Sequence, residues 1–230
     1  MSHIRIIRIH NELLGTYGDQ GNAEVLAFRA KFHGIAATIT DVTYEQSIPR
    51  NGNIYLLGGA EDSAQLLSLE ALRRENNLQE DIADGAVLLA VCAGFQIIGQ
   101  SFWANGAKVE GLGLLDVESN PGGNKRCVGE VKARCSILNL ELNGFENHSG
   151  TTTLGSSAQA FAKVSSGYGN GDGKNDGAVL GNVFGTYMHG PILARNPQLA
   201  DLLLTRATAR PFSQIEDPLA SSYASIARKY

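Results

Sequence analysis

The sequence predicts an α/β protein with a mostly parallel central sheet, flanking helices and added antiparallel hairpins. Its first half alternates strand and helix patterns, as βαβ units do. Residues 86–91 form an unbroken apolar run, which is typical of a strand buried on both faces, as in parallel sheets. Short strand patterns separated by turn signals dominate the second half and indicate hairpins. We therefore expect the functional site at the carboxyl ends of the parallel strands.

Each predicted element of the first half has its own local signal. Residues 4–9, 35–42 and 53–57 are short β-rich segments bounded by polar or glycine residues, so we expect strands there. Residues 22–32 carry apolar side chains at helical spacing. The leucines of residues 62–74 would form one buried stripe on a helix. These elements precede the apolar strand and complete a βαβ series.

The second half continues with strands and ends with helices. The predicted strands are 114–119, 126–133, 158–164 and 178–188, and the predicted helices are 197–207 and 218–228. The run 169–177 is rich in Gly, Asn and Asp, but a calcium loop is excluded because Lys174 would stand among the ligands and Val183 occupies the place of the bidentate glutamate. We expect a flexible hairpin tip there instead. With no internal repeat or long linker, residues 1–230 are predicted to be one domain.

Composition restricts the class of function. The chain has 230 residues, enough for a full α/β core, and 19 basic against 23 acidic residues give a net charge of −4. This balance shows no excess of basic residues that would bind nucleic acid or an anionic membrane. No apolar run reaches the roughly 18 residues of a membrane-spanning helix. No secretory signal or zinc-like cluster is visible, and the three cysteines are irregularly spaced. We expect a cytoplasmic protein with reduced thiols, no metal and no insertion into a membrane.

Cys92 stands where the apolar strand ends and a helical pattern begins. Ala90 and Gly94, two positions on either side, are small, as a sharp strand-to-helix turn requires because bulkier side chains would clash. Such a nucleophile elbow places the thiol at the amino end of a helix, where free N–H groups and the helix dipole favour the thiolate. The segment therefore indicates a nucleophile; a buried structural cysteine is the alternative.

A cysteine nucleophile needs a base, and the chain has five histidines. His189 follows a β-rich run and precedes a Gly-Pro break, so we expect it at a strand end, at the level of Cys92. His148 is the alternative base. The oxyanion that forms on attack needs backbone N–H donors. Those of Ala93 and of the loop 57–62 are the candidates, because the two glycines of that loop, Gly58 and Gly59, let an amide turn toward a ligand.

Six short motifs carry a resemblance to a known family. They are residues 17–22 (YGDQGN), 58–65 (GGAEDSAQ), 90–96 (AVCAGFQ), 110–115 (EGLGLL), 144–148 (GFENH) and 185–191 (GTYMHGP). Their order resembles that of the class I, triad-type glutamine amidotransferases. Within that class the chain is similar to the cobyric acid synthase-like branch, in particular to the glutaminase subunits of lipid II isoglutaminyl synthases. The resemblance implies a flavodoxin-like core and glutaminase activity.

The resemblance also implies roles for three residues. Cys92 matches the nucleophile that forms a glutamyl thioester and releases ammonia. His189 matches the base that accepts the thiol proton and later protonates the leaving amine. Arg126 matches a substrate-binding arginine, and a guanidinium can grip the α-carboxylate of free glutamine through two hydrogen bonds.

The sequence departs from many triad enzymes after its histidine. Such enzymes carry a glutamate two residues beyond the histidine, but Pro191 stands there in this chain. The third member must come from elsewhere, or the site works as a dyad. Asp19 and Glu146 are candidates, and nothing in the sequence selects between them.

Partners follow from the same resemblance. L-glutamine would be the substrate, and ammonia would pass to a Mur ligase-like subunit in a heterodimer. That subunit would bind ATP and Mg²⁺ and amidate the α-carboxylate of D-glutamate in the peptidoglycan stem peptide of lipid II. No nucleotide-binding loop occurs in the sequence, so this chain is expected to hold no cofactor. Three alternatives remain open: a glutaminase for a cobyrinate-type synthase, a non-catalytic regulatory module of a ligase, and a cysteine peptidase or other hydrolase with the same sheet.

Overall fold

The computed structural model describes residues 3–123 and 126–212, which form three sheets and the helices around them. The strands are β1 (His3–Ile9), β2 (Ala36–Val42), β3 (Ile54–Leu57), β4 (Val87–Val91), β5 (Ser101–Ala104), β6 (Ala107–Glu110), β7 (Val117–Pro121), β8 (Cys127–Cys135), β9 (Leu140–His148), β10 (Gly150–Leu154), β11 (Ala162–Ser166), β12 (Asn175–Asp176), β13 (Ala178–Leu180) and β14 (Val183–Thr186). The helices are α1 (Asn11–Leu14), α2 (Gly21–Phe32), α3 (Asp62–Leu72), α4 (Asn77–Ala83), α5 (Ala93–Ile97), α6 (Ile192–Arg195) and α7 (Pro197–Thr208).

The central sheet has six strands in the order β13-β14-β4-β3-β1-β2. Every neighbouring pair except β13–β14 is parallel, which confirms the predicted fold class. All residues of β3 and β4 are buried, as expected for strands covered on both faces. The pairings Leu57↔Ala90 and Thr186↔Val91 bring the carboxyl ends of β3, β4 and β14 to one edge. The segments that follow these three strands therefore meet.

Two smaller sheets extend toward this edge. Their strand orders are β10-β7-β5-β6 and β12-β11-β8-β9. β8 and β9 form a long antiparallel hairpin, in register from Cys127↔His148 to Cys135↔Leu140. An isolated bridge between Phe145 and His189 joins this hairpin to the segment that leaves β14. The predicted hairpins of the second half are thus present, and one of them is attached to the segment that follows the central sheet.

Helices α2 and α7 are joined by a shielded ion pair. The Arg29 guanidinium donates to both carboxylate oxygens of Asp201 at 2.6 Å, and the Arg29 side chain is only 6% exposed. His33 Nε2 lies 3.1 Å from the same carboxylate. Because breaking a buried pair leaves an uncompensated charge, this contact fixes α7 against α2. The segment that carries His189 and α6 leads directly into α7.

Several elements differ from the sequence prediction. The segment 178–188 is two strands, β13 and β14, because Gly181 adopts a left-handed turn (φ 58) between them. β7 and β11 begin later than predicted. Strands β5, β6, β9, β10 and β12, together with helices α1, α4 and α6, were not predicted. The predicted helix 218–228 lies outside the described residues.

The glycine-rich run 169–177 connects β11 to β12 and includes β12, so the predicted hairpin is present, and both ends of the run are packed. Asn170 and Asp176 are buried. The Asn170 amide closes the loop, because Gly177 N donates to its Oδ1 at 2.7 Å and its Nδ2 donates to Gly177 O at 3.1 Å. Only the tip of the run, around Asp172, is exposed. Across residues 3–123 and 126–212, no helix combines the length and apolar character needed to cross a bilayer.

Candidate active site

Cys92 occupies a sharp turn between β4 and α5. Its φ of 52° and ψ of −106° lie where non-glycine residues are rarely found, as expected for a strained elbow. The Cys92 N–H donates to Thr186 O at 2.9 Å, and Gly94 N–H donates to Gly58 O at 3.0 Å, so both neighbouring strands hold the turn. A Cβ on Gly94 would lie 2.8 Å from Leu57 Cβ. The small residue expected at this position is therefore required by the close approach of β3.

His189 is carried just beyond β14, at the strand end where the sequence placed it. Its backbone forms two hydrogen bonds with Phe145, the N–H of each donating to the carbonyl of the other at 2.8 and 3.1 Å. The preceding Gly144 packs against Met188, and an added Cβ would lie 2.5 Å from Met188 Cβ. The Gly-Phe-Glu-Asn-His motif on β9 is thus a backbone support for the histidine segment.

Asp19 is the carboxylate that pairs with His189. Its Oδ2 accepts a hydrogen bond from His189 Nδ1 at 2.8 Å and another from Gly59 N–H at 2.9 Å. Asp19 is buried and follows two left-handed residues, Tyr17 (φ 60) and Gly18 (φ 79), which turn the chain toward the sheet edge. Of the two carboxylates that the sequence left open, the structure places Asp19 against the imidazole.

The rest of the Tyr17–Asn22 motif holds this arrangement together. A Cβ on Gly21 would lie 2.5 Å from Pro191 Cγ, so the start of α2 packs directly on the Gly-Pro segment. Asn22 Oδ1 accepts a hydrogen bond from Leu193 N at 3.0 Å and fixes the start of α6. The motif and the histidine segment therefore form one packed unit, although they are far apart in sequence.

Cys92 and His189 face one another across Gly59. A Cβ on Gly59 would lie 2.7 Å from His189 Cε1 and 3.5 Å from Cys92 Cβ, so both side chains border the same space. Among the described residues, His189 Nε2 is buried and forms no hydrogen bond of standard geometry. It is the nitrogen left for proton exchange with the thiol, and such catalytic hydrogen bonds often tighten only when substrate binds.

The surroundings of His189 favour its charged form. Burial lowers the pKa of the imidazole, but the hydrogen bond to Asp19 and the neighbouring Cys92 outweigh burial and raise this pKa to about 10. Nδ1 carries the proton that Asp19 accepts. The site is thus built to hold an imidazolium beside a sulfur atom, which is the charge arrangement that activates a thiol.

Glu146 and His148 have other contacts. The two Glu146 carboxylate oxygens accept hydrogen bonds from the N–H groups of Tyr168 and Gly169 at 2.7 and 2.8 Å, so this side chain supports the glycine-rich loop. His148 Nδ1 donates to Gly150 O at 3.0 Å, and its ring stacks on Tyr187 with centroids 3.8 Å apart. His148 borders the cavity, but it lacks the carboxylate partner at hydrogen-bonding distance that His189 has.

A cavity of about 300 Å³ opens beside Cys92. Its walls come from the elbow, from α3, from β5 and its turn, and from the β8–β9 hairpin. Side chains that can bind a polar ligand line it: Tyr17, Gln65, Gln96, Arg126, Asn147 and His148. The volume suits a small molecule bound through a few convergent polar groups.

Two glutamine side chains on the cavity wall are locked together. Gln65 Nε2 donates to Gln96 Oε1 at 2.8 Å and to Ala93 O at 3.2 Å. Gln96 Nε2 donates to the Tyr187 hydroxyl at 3.2 Å. Their amides are therefore held in fixed orientations next to the elbow.

Hydrogen bonding distinguishes the candidate oxyanion donors of the loop 57–62 from one another. Gly59 N–H is already bonded to Asp19, so it is not free to serve an oxyanion. Ala60 is the next residue of the same loop and lines the cavity, and within the described residues its N–H has no hydrogen-bond partner. Ala93 lines the cavity at the first position of α5, where helix N–H groups lack internal partners. The N–H groups of Ala60 and Ala93 are therefore the two candidate donors.

Sequence reasoning missed two site residues, Tyr17 and Asn147. Tyr17 packs on His189 with ring centroids 4.8 Å apart, and Asn147 bonds both Tyr17 and Arg126. Asp19 was named without a reason to prefer it. The signal available for Asp19 and Tyr17 was the pair of glycines around them, which marks a turn, but a turn alone does not show what it approaches.

Comparisons with known proteins relate the chain to one family. A family model described as the CobB/CobQ-like glutamine amidotransferase domain matches residues 5–197. The chain is 34% identical over 215 residues to the lipid II isoglutaminyl synthase (glutamine-hydrolyzing) subunit GatD of Streptococcus pneumoniae, covering 92% of this chain and 83% of that protein. Against cobyric acid synthase of Limosilactobacillus reuteri it is 32% identical, over 58% of this chain and 28% of that protein. The structure of a glutamine amidotransferase from Thermotoga maritima has the same fold, with a TM-score of 0.56 at 18% identity, covering 100% of this chain and 92% of that one.

Proposed function

This chain belongs to the CobB/CobQ-like glutamine amidotransferase family, and we propose that it is, as one domain, the glutaminase subunit of a lipid II isoglutaminyl synthase. Its class of activity is that of a glutamine amidotransferase. The observation that carries the proposal is the line Asp19–His189–Cys92 at the edge of a polar cavity. The extent of the match to the streptococcal subunit supports the finer assignment.

In the proposed reaction, His189 takes the proton of the Cys92 thiol, and the sulfur attacks the side-chain amide carbon of L-glutamine. The N–H groups of Ala93 and Ala60 would stabilise the oxyanion. When the C–N bond breaks, the imidazolium gives its proton to the leaving nitrogen, and ammonia departs. A glutamyl thioester remains on Cys92. Water then attacks it with His189 as the base, releasing glutamate and the thiol. Asp19 keeps the ring oriented and offsets its charge throughout.

Arg126 would select the substrate. It lines the cavity at the start of the β8–β9 hairpin and is the arginine among the cavity's side chains. A guanidinium can bind the α-carboxylate of free glutamine through two parallel hydrogen bonds. Inside a protein chain that carboxylate is an amide, so this contact favours a free amino acid over a peptide.

Ammonia would be passed to a Mur ligase-like subunit, in a heterodimer, in the cytoplasm. Amidation of a carboxylate requires that it first be activated, and the sequence contains no phosphate-binding loop of the Gly-x-x-x-x-Gly-Lys type. We therefore assign ATP and Mg²⁺ to the partner, which would activate the α-carboxylate of D-glutamate in lipid II. This chain would bind neither a cofactor nor a metal of its own.

The test compares glutamine with ammonium chloride as nitrogen source for amidation of lipid II by this chain together with a Mur ligase-like subunit. We expect Cys92→Ser to abolish glutamine-dependent amidation and to leave ammonia-dependent amidation intact. Cys135→Ser is the matched control, because it also replaces a buried thiol by a hydroxyl, at the end of β8 that lies away from the cavity.

Other outcomes would each identify an alternative. Equal activity of Cys92→Ser with both nitrogen sources would make the chain a non-catalytic regulator of its ligase. Glutamine hydrolysis that supports amidation of a cobyrinate but not of lipid II would assign the other branch of the family. Cleavage of peptides in preference to free glutamine would indicate a peptidase.

A further inference from the structure

Three side chains form a hydrogen-bonded line across the cavity mouth. Arg126 Nε donates to Asn147 Oδ1 at 2.7 Å. Asn147 Nδ2 donates in turn to the Tyr17 hydroxyl. The Tyr17 ring packs against the His189 ring, with centroids 4.8 Å apart and planes tilted by 57°. The line therefore runs from the substrate-binding guanidinium to the imidazole, and Asn147 is its central member.

The orientation of the Asn147 amide is determined by its partners. Arginine Nε–H can only donate, so the amide oxygen must face Arg126. The amide nitrogen must then face Tyr17, whose hydroxyl oxygen accepts. A flipped amide would place two donors together at Arg126. Both ends of this side chain are therefore used, each for a different functional group.

The contact with Nε also fixes which edge of the guanidinium is left for a ligand. Four of the five N–H groups of an arginine belong to its two terminal nitrogens, and these make the fork that matches a carboxylate. Arg126 is exposed. A long exposed side chain samples many rotamers, and ordering it on ligand binding lowers affinity. A hydrogen bond at Nε orders it beforehand without occupying the terminal nitrogens.

We propose that Asn147 is a positioning residue for glutamine, which holds Arg126 ready for the α-carboxylate. This inference rests on the proposed function and adds to it a residue that the substrate does not need to touch. Asn147 lies on β9 opposite Val128 of β8, so the hairpin sets the distance between Asn147 and Arg126. Specificity for a free amino acid is then a property of the hairpin register as well as of the arginine.

Covalent labelling of Cys92 tests this without a ligase subunit. The glutamine analogue 6-diazo-5-oxo-L-norleucine carries the α-carboxylate and alkylates a thiolate with loss of nitrogen gas, whereas iodoacetamide alkylates the same sulfur but has no carboxylate. Intact-mass measurement gives the half-saturating concentration and the limiting rate for the first reagent and the second-order rate for the other. Their comparison separates recognition of the carboxylate from reactivity of the thiol.

We expect Asn147→Ala to raise the half-saturating concentration of the diazo analogue about two- to tenfold, the cost of ordering one long side chain. The rate with iodoacetamide should stay within about twofold of the unmodified chain, since the elbow is untouched. In an Arg126→Ala background, Asn147→Ala should have no further effect on the half-saturating concentration. Asn139→Gly is the matched control, because Asn139 Oδ1 accepts from Arg134 at 2.7 Å on the same hairpin.

Two results would overturn the inference. One is a further rise in the half-saturating concentration when Asn147→Ala is added to Arg126→Ala, because Asn147 would then act independently of the arginine. The other is an equal slowing with both reagents, because the change would then have disturbed the elbow. Failure of the diazo analogue to label Cys92 in the unmodified chain would instead refute the proposed function itself.

Discussion

Replacing Asp19 with asparagine removes the charge beside His189 while keeping the shape of the side chain. The asparagine oxygen can still accept from His189 Nδ1 and Gly59 N–H, the two donors that Asp19 Oδ2 serves at 2.8 and 2.9 Å. An opposite charge at such a distance shifts a pKa by about 1–3 units. The pKa of His189, raised to about 10 in the intact site, should therefore fall.

The size of the effect follows from that shift. Each pKa unit corresponds to about 1.4 kcal/mol. A fall of about 1–3 units in the pKa of His189 therefore lowers the stabilisation of its imidazolium form by about 1.4–4 kcal/mol. If that state is needed for attack, kcat/KM for glutamine hydrolysis should fall about 10- to 1,000-fold. Glutamate release measured between pH 6 and 10 tests this. The matched control is Asp116→Asn, since Asp116 also accepts two hydrogen bonds through Oδ2, from the N–H and the hydroxyl of Ser157, and has no contact with His189. If kcat/KM of Asp19→Asn lay within about twofold of that of the unmodified enzyme, the proposed role of the Asp19 charge would be refuted.

The same substitution should change how stability depends on pH. The folded-state pKa of His189, about 10, lies above the ordinary value of 6.5, so the folded protein binds this proton more tightly than the unfolded chain. The contribution of this group to the free energy of unfolding is full below pH 6.5 and is lost as the pH rises toward 10. We expect the difference in unfolding free energy between the unmodified chain and Asp19→Asn to shrink across that window. A constant difference would contradict the assignment.

Three other substitutions probe the remaining parts of the site. Arg126→Ala should raise the KM for glutamine by at least about 10- to 100-fold, since even one hydrogen bond to a charged group contributes about 1.5–3 kcal/mol. An unchanged KM in steady-state assays would remove its role. Gly59→Ala should lower turnover about 100-fold while ammonia-dependent amidation persists, because the new Cβ would lie 2.7 Å from His189 Cε1. In a glutaminase assay, His148→Gln should retain turnover and His189→Gln should lose it. Loss of turnover in His148→Gln with turnover kept in His189→Gln would make His148 the base.

The central sheet could be predicted because its signals are local. The strand 86–91 is apolar throughout, and the structure buries all of β4, Val87–Val91. The small residues around Cys92 marked the elbow, and Gly94 is in fact limited by the approach of Leu57. These features depend on backbone sterics within a few residues, which a sequence displays directly.

Of the elements that were not predicted, β9 lacks a local signal, whereas the β5–β6 hairpin has one. β9 contains Asn143, Gly144 and Asn147, residues that disfavour strands, and it is ordered by pairing with β8. The β5–β6 hairpin did carry a signal, since Asn105 and Gly106 adopt the left-handed conformations (φ 50 and 77) of a tight hairpin turn.

The third member of the site could not be predicted for a different reason. Asp19 and His189 are separated by 170 positions, and their contact arises only when the turn after α1 packs on the segment beyond β14. Position in the sequence gives no weight to Asp19 over Glu146. The run 169–177 shows the same limitation, since its composition indicates a turn but not that Asn170 and Asp176 are buried.

The most direct test of the account is to trap the intermediate. The chain is mixed with L-glutamine, quenched in acid and digested, and the peptides containing each cysteine are examined by mass spectrometry. We expect a glutamyl thioester on Cys92 that is absent in Cys92→Ser and that accumulates less in His189→Ala. Glutamate release with no adduct on Cys92, or an adduct on Cys127 or Cys135 instead, would contradict the proposed mechanism.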